Sequence, residues 1–222
     1  MTGLRGAVER MRRTLVDSES SASISDRLRA RRFRLLVETF PDLPEMRVLD
    51  LGGTASFWAS VPLHPSQVVL VNLSDQVTGE PWITSLVGDV CVPSASLRRE
   101  HFDLVFSNSV IEHVGGHDRR AQMADVVREL GERHWVQTPY RYFPVEPHWL
   151  FPGFQFLPTS IRARVGAQWP LTWSGPVSYE ESVATVLGVE LLDMTQLRYY
   201  FPESELATER VAGIPKSLIA WG

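Results

Sequence analysis

Cysteine is almost missing from this chain: one thiol, Cys91, stands among 222 residues. A single thiol excludes an internal disulfide and leaves no thiolate set for zinc or an iron–sulfur cluster. Such usage fits a reducing cytoplasm, which is the expected location. Long hydrophobic runs are missing too. Nothing approaches the ~18 consecutive apolar residues of a membrane span. The basic N-terminal residues are followed by no apolar stretch, so no secretion signal is expected. Nor is there an excess of positive charge. With 22 Lys and Arg against 26 Asp and Glu, the formal net charge is −4, so bulk charge offers nucleic acid no attraction. Internal repeats and low-complexity tracts are absent. What remains is 44% hydrophobic and 22% charged, the composition of a globular protein. The length suits one α/β domain with a full core.

Periodicity supplies the outline. Residues 1–40 read as basic helices. Leu4, Val8, Met11 and Leu15 recur at helical spacing, with Arg5, Arg10, Arg12 and Arg13 between them. A polar break over 18–25 precedes a second helix that Pro41 and Pro44 end. Its arginines over 27–34 make a solvated face, or a contact with an acidic substrate or headgroups. From residue 46 the pattern changes to short apolar runs. Strands are expected at 47–51, 68–73, around 86–90, 102–107 and 134–138, with a helix over 119–133. Alternating strands and helices imply a doubly wound, mostly parallel sheet. A proline- and aromatic-rich stretch follows from 139 to about 173. A helix at 178–187 and closing strands at 189–197 and 216–221 complete the reading. No linker divides the chain. It is expected to be one domain: a helical extension (1–45), a ligand-binding core (46–138), a substrate or cap segment (139–177) and a closing segment (178–222).

The chemistry gathers at expected strand ends, the edge where open α/β sheets bind ligands. Residues 46–57 read Met-Arg-Val-Leu-Asp-Leu-Gly-Gly-Thr-Ala-Ser-Phe. An apolar run meets Asp50, then Gly52, Gly53 and further small residues. Such a loop lets backbone amides approach a ligand that a Cβ would hold off. The second strand ends in Val71-Asn72-Leu73-Ser74-Asp75. Gly88-Asp89-Val90 comes next, and then Phe102-Asp103-Leu104-Val105-Phe106-Ser107-Asn108-Ser109-Val110-Ile111-Glu112-His113-Val114. A dinucleotide site would want G-x-G-x-x-G opening a helix. Gly52 and Gly53 are adjacent and no third glycine follows, so that reading ranks low.

In the order and spacing of these four motifs the chain resembles the class I S-adenosylmethionine (SAM)-dependent methyltransferases, close to the group called type 11. The resemblance is firm over about 46–138 and looser beyond. It implies a seven-stranded Rossmann-like sheet and SAM as cofactor. It places Asp50, Gly52 and Gly53 around the methionine part, and Asn72 with Leu73 at the ribose. Asp89 and Val90 fall at the adenine, and Asn108, Ser109 and His113 at the methionine end. Ile111 to His113 would start the next helix. Two departures stand out. Asn72 replaces the usual ribose-binding acid, with Asp75 as the alternative partner. Thr54 and Ser56 replace the later glycines.

The segment 137–152, Gln-Thr-Pro-Tyr-Arg-Tyr-Phe-Pro-Val-Glu-Pro-His-Trp-Leu-Phe-Pro, follows the last parallel strand. Its prolines preset side chains at low entropic cost. An imidazole can take a hydroxyl proton near neutral pH. His148 is therefore the expected base, with Glu146 or His113 assisting, and Tyr140, Arg141, Tyr142 and Trp149 the expected acceptor contacts. The remaining rings, Phe151, Phe154, Phe156, Trp169 and Trp173, divide between core and acceptor. Leu150, Leu157 and Ile161 are expected on a hydrophobic helix over the site. His113, His117, Asp118, Glu146 and His148 offer donors for Mg²⁺, but their spacing matches no standard site and no metal is expected. The expected activity is O-methylation of a small polar acceptor, first of all a saccharide or glycoconjugate, as in actinobacterial sugar methyltransferases, which the chain resembles slightly. N- or C-methylation of a small metabolite or natural product, and a non-catalytic binding module of the same fold, are the alternatives. A homodimer is compatible with the sequence but not indicated by it.

Overall fold

The computed structural model describes residues 24–170 and 175–222. The basic helix expected over residues 4–15 and Trp173 lie outside them. In chain order the elements are α1 (Ile24–Thr39), β1 (Arg47–Leu51), α2 (Ala55–Ser60), β2 (Gln67–Asn72), β3 (Ile83–Val87) and β4 (Phe102–Asn108). There follow α3 (Gly116–Leu130), β5 (Gly131–Pro139), β6 (Val145–Glu146), β7 (Phe151–Pro152), α4 (Thr159–Gln168) and α5 (Tyr179–Leu187). α6 (Met194–Tyr200), β8 (Glu205–Val211) and β9 (Ile214–Trp221) close the chain. The described residues form two compact units: 40–143 with 188–222, and 24–39 with 144–170 and 175–187.

The first unit holds a seven-stranded sheet in the order β3-β2-β1-β4-β5-β9-β8. Strands β1 to β5 pair in parallel, and β9 runs antiparallel to both β5 and β8. The sheet is thus mostly parallel and seven-stranded, as the strand pattern and the resemblance imply. The period of two sorts its side chains. Leu49, Leu51, Val69, Val71, Val105 and Val136 join Met123, Val127 and Leu197 in one core cluster. The intervening residues include Asp50, Phe106 and Trp135, all buried. There Trp58 meets Phe106 edge-on at 5.2 Å, and Phe40 meets Trp135 at 6.3 Å.

Three expectations need correction here. Residues 189–197 are not a strand. Leu192 makes one parallel bridge to Tyr140, and α6 then begins behind a complete capping box. The Asp193 side chain accepts from Gln196 N at 2.9 Å, and Gln196 Oε1 accepts from Asp193 N at 3.0 Å. The seventh strand is β8 instead, joined to β9 by Ala212 and Gly213 at φ 49° and 82°. Two successive positive φ values make a type I′ hairpin turn, whose twist suits antiparallel strands. The third correction is at β3, which runs from 83 to 87 rather than around 86–90.

The second unit contains α1, the β6–β7 hairpin, a 3₁₀ turn at Phe154–Phe156, α4 and α5. Helices α4 and α5 lie close together: Ser182 Oγ donates to Ala163 O at 2.8 Å. The hydrophobic helix expected to carry Leu150, Leu157 and Ile161 is broken into pieces. Leu150 sits at φ 49° before β7, and Leu157 ends the 3₁₀ turn. Only Ile161 is on α4.

Candidate functional site

The strand order explains the gathering of the predicted residues. Since β1 to β4 are parallel neighbours, Asp50, Asn72, Asp89 and Asn108 all belong to one edge of the sheet unit. Asp50 alternates away from Leu49 and Leu51, and the Trp58 indole N–H donates to its Oδ2 at 2.7 Å. The residue is fully buried. Burial pushes its pKa up to about 7, against the opposing effects of Trp58 and of the Gly53 N–H, which faces the carboxyl. Oδ1 has no partner within hydrogen-bond geometry among the described residues.

The two glycines answer to this packing. Gly52 sits at φ +84°, and a Cβ there would lie 2.6 Å from a Val110 methyl. A Cβ on Gly53 would lie 1.7 Å from Asp50 Oδ2. Thr54 is the N-cap of α2, its Oγ1 accepting from Phe57 N at 3.4 Å. That explains a hydroxyl where a glycine pattern would continue. Asn72 donates through Nδ2 to Gly52 O at 3.2 Å and Gly53 O at 3.0 Å, and accepts from Leu73 N at 2.8 Å. The Leu73 side chain is 79% exposed.

Asp89 follows β3. One Arg119 nitrogen contacts both its oxygens at 2.8 Å, and Cys91 N donates to Oδ1 at 2.9 Å. Burial raises its pKa, but Cys91 and Arg119 together outweigh it and the net shift is downward. Val90 turns into the core cluster, while Val92 is exposed. Ser109 adopts φ 59° at the end of β4, its N–H donating to Gln137 O and its Oγ to Gln137 Oε1, both at 2.9 Å. The next helix does not start at Ile111–His113. Those residues form a turn closed by His113 N on Val110 O at 2.8 Å, and α3 begins at Gly116. Glu112 is buried and accepts from Thr138 Oγ1 at 3.0 Å. His113 Nε2 stands 3.9 Å from Glu112 Oε1.

Tyr140 and Tyr142 meet edge-on at 5.5 Å, and Tyr142 is 54% exposed. Arg141 N donates to Leu192 O at 2.9 Å.

In the second unit, Glu146 organises its own turn. Oε2 accepts from His148 N at 2.7 Å and Trp149 N at 2.9 Å, and Oε1 lies 2.7 Å from His148 Nδ1. The Trp149 ring is buried and stacked on Phe154 at 4.5 Å. Among the other donors weighed for a cation, His117 faces Tyr200 OH through Nδ1 at 3.0 Å. Sequence reasoning missed Trp58, Val110 and Arg119 as partners of the site. Nothing local marks them, because each acts across a fold contact.

No family model matches the chain, and no curated protein matches it. Solved structures do. Magnesium protoporphyrin IX methyltransferase (ChlM) from Synechocystis PCC 6803, solved with bound SAH (S-adenosyl-L-homocysteine), is similar with a TM-score of 0.53 at 13% identity, over 99% of this chain and 94% of that one. The N-terminal domain of EvdMO1, solved in the presence of SAH and D-fucose, gives 0.50 at 15% identity, over 100% and 97%. A proposed Zn-dependent alcohol dehydrogenase from Rhodobacter sphaeroides gives 0.55 at 11% identity, over 86% and 87%. With its strand order, the chain has the Rossmann-like fold of the class I SAM-dependent methyltransferases.

Proposed function

We propose that this protein is a SAM-dependent O-methyltransferase acting on a hydroxyl of a small polar acceptor, a saccharide or glycoconjugate first of all. The observation that carries the reading is the Glu146–His148 dyad in a chain whose sheet unit has a methyltransferase fold. The sheet edge suits the cofactor on two counts: a loop of two glycines that presents no side chain, and a buried Asp50 carboxyl oxygen without a partner among the described residues. Asp50, Asn108 and Ser109 would hold its methionine end, with the Gly52–Gly53 backbone packed against it, and Asp89 its adenine amine. SAM supplies an electrophilic methyl group on a sulfonium. Glu146 fixes the His148 tautomer with the hydrogen on Nδ1, so Nε2 carries the lone pair that takes the acceptor's hydroxyl proton. The carboxylate then stabilises the imidazolium. With three hydrogen bonds already on Glu146, orienting the His148 base fits it better than binding an amine. This favours oxygen over nitrogen as the methylated atom. Tyr142 offers an exposed ring to a sugar face, with Arg141 beside it. EvdMO1, solved with a sugar and SAH, supports a saccharide acceptor by analogy of fold.

His148→Ala is expected to lower kcat by about 10²–10⁴-fold while SAH affinity stays unchanged in calorimetry. Near-normal turnover would remove His148 from this role. Glu146→Gln should move the acidic limb of the pH–rate profile to lower pH, because the imidazolium loses its counter-charge. Absence of SAH binding at about 1 mM, the range of −4 kcal/mol, would favour a non-catalytic module. A panel of sugar, phenol and amine acceptors read by mass spectrometry tests the methylated atom.

A further inference from the structure

The Gly52–Gly53 pair has four backbone polar groups, and the chain engages all of them. Gly52 N–H donates to Val71 O at 2.7 Å, and Gly53 N–H faces the Asp50 carboxyl. Both carbonyls accept from Asn72 Nδ2. The orientation of that amide is dictated by its surroundings. Exchanging its oxygen and nitrogen would set an oxygen against two carbonyls and an NH₂ against the Leu73 N–H. A primary amide has two N–H donors and one oxygen with two lone pairs. Both donors and one lone pair of Asn72 are therefore committed inside the chain.

We infer that Asn72 is a positioning residue that clasps the glycine loop from the end of β2, and that it is not the partner of a ribose diol. The inference rests on the SAM reading only for what the loop receives. A carboxylate at position 72 would face the same two carbonyls with no hydrogen to give, leaving them unpaired and repelled. The acid that the family resemblance leads one to expect would thus open the loop instead of improving the site. The amide also accounts for how a loop short of glycines keeps one shape. Gly52 is held at φ +84° under Val110 and Gly53 against Asp50, while Asn72 fixes the carbonyl side.

The test uses the full chain, Asn72→Asp and Asn72→Ala, with two readouts: hydrogen-exchange protection of the loop amides without ligand, and SAH affinity by calorimetry. At pH 8 both variants should lose on the order of tenfold in loop protection, as for one lost hydrogen bond, and bind SAH at least about tenfold more weakly. Measured against the natural chain at each pH, Asn72→Asp should recover both properties towards pH 5. There its carboxyl gains a proton and can again donate. Asn72→Ala should not recover. Unchanged loop protection, or an Asn72→Asp variant that binds SAH as tightly as the natural chain at pH 8, would overturn the clasp. A natural chain that fails to bind SAH would overturn the methyltransferase reading instead, and the protection factors alone would then decide the clasp.

Discussion

Asp50, fully buried, and His134, half-buried, are titratable groups in the same unit with opposite effects on stability. The Asp50 pKa is raised from 3.8 to about 7. Between those values the folded chain binds the extra proton, so stability falls as pH rises, by about 1.4 kcal/mol per unit. His134 lies in β5, stacked on Phe201 with Nε2 2.6 Å from Ser204 Oγ. Burial, and then the charge of Arg128, lowers its pKa from 6.5 to about 4. In that window the unfolded chain binds the extra proton, so stability rises with pH at about the same slope. Between about pH 4 and 6.5 the two contributions nearly cancel. Asp50→Asn should therefore unmask a rising stability–pH curve in urea denaturation, and His134→Phe a falling one. At pH 8 Asp50→Asn should also be more stable than the natural chain, having no buried charge to accommodate. An acid kept at a stability cost is consistent with service to a ligand. A cationic ligand beside Asp50 would favour its ionised form, so SAH or SAM binding should release protons near pH 7. Calorimetry in buffers of different ionisation enthalpy reads that release.

At the scale of elements, the strands that run straight through the core were the legible ones. Continuous apolar runs such as Val68–Val71 and Leu104–Phe106 are buried on both faces, the pattern that buried parallel strands carry. The edge strand β8 has no such run. Its Glu205-Leu-Ala-Thr-Glu-Arg-Val sequence is partly exposed, and a bulge interrupts its register at Glu209/Arg210, beside Pro215 on the partner strand. Its turn is Ala-Gly, a weaker hairpin signal than Asn-Gly. The false strand at 189–197 concealed a readable helix start, since Asp193-Met-Thr-Gln196 has capping-box spacing. Asp193→Ala should cost about 1 kcal/mol in denaturant unfolding, with α6 exchanging faster than α3. For the site, the sequence located Asp50, Gly52, Gly53, Asn72 and Asp89 at strand ends. It did not reveal what each touches. Whether an amide faces a ribose or two loop carbonyls depends on side-chain direction across neighbouring strands, which spacing along one strand does not encode.

At the scale of the molecule, the cofactor candidates lie in the sheet unit, and the proposed base lies in the unit that holds α1, α4 and α5. Ligand that binds only the folded state adds about 2.7 kcal/mol at 100 times its Kd. SAH should therefore raise the melting temperature, with the gain in exchange protection concentrated in residues 40–143 and 188–222. A gain centred on 144–187 would relocate the cofactor. No described helix is long and apolar enough to cross a membrane. The contact between Gly53 and Asp50, with Trp58 on the same carboxyl and Asn72 on the same loop, carries a consequence for descent. These four positions cannot drift one at a time. A larger residue at 53 requires a shorter one at 50, which strands the indole at 58. An acid at 72 requires new donors for two carbonyls. Among relatives of this chain, positions 50, 53, 58 and 72 should change together or not at all, leaving a four-residue signature of this branch.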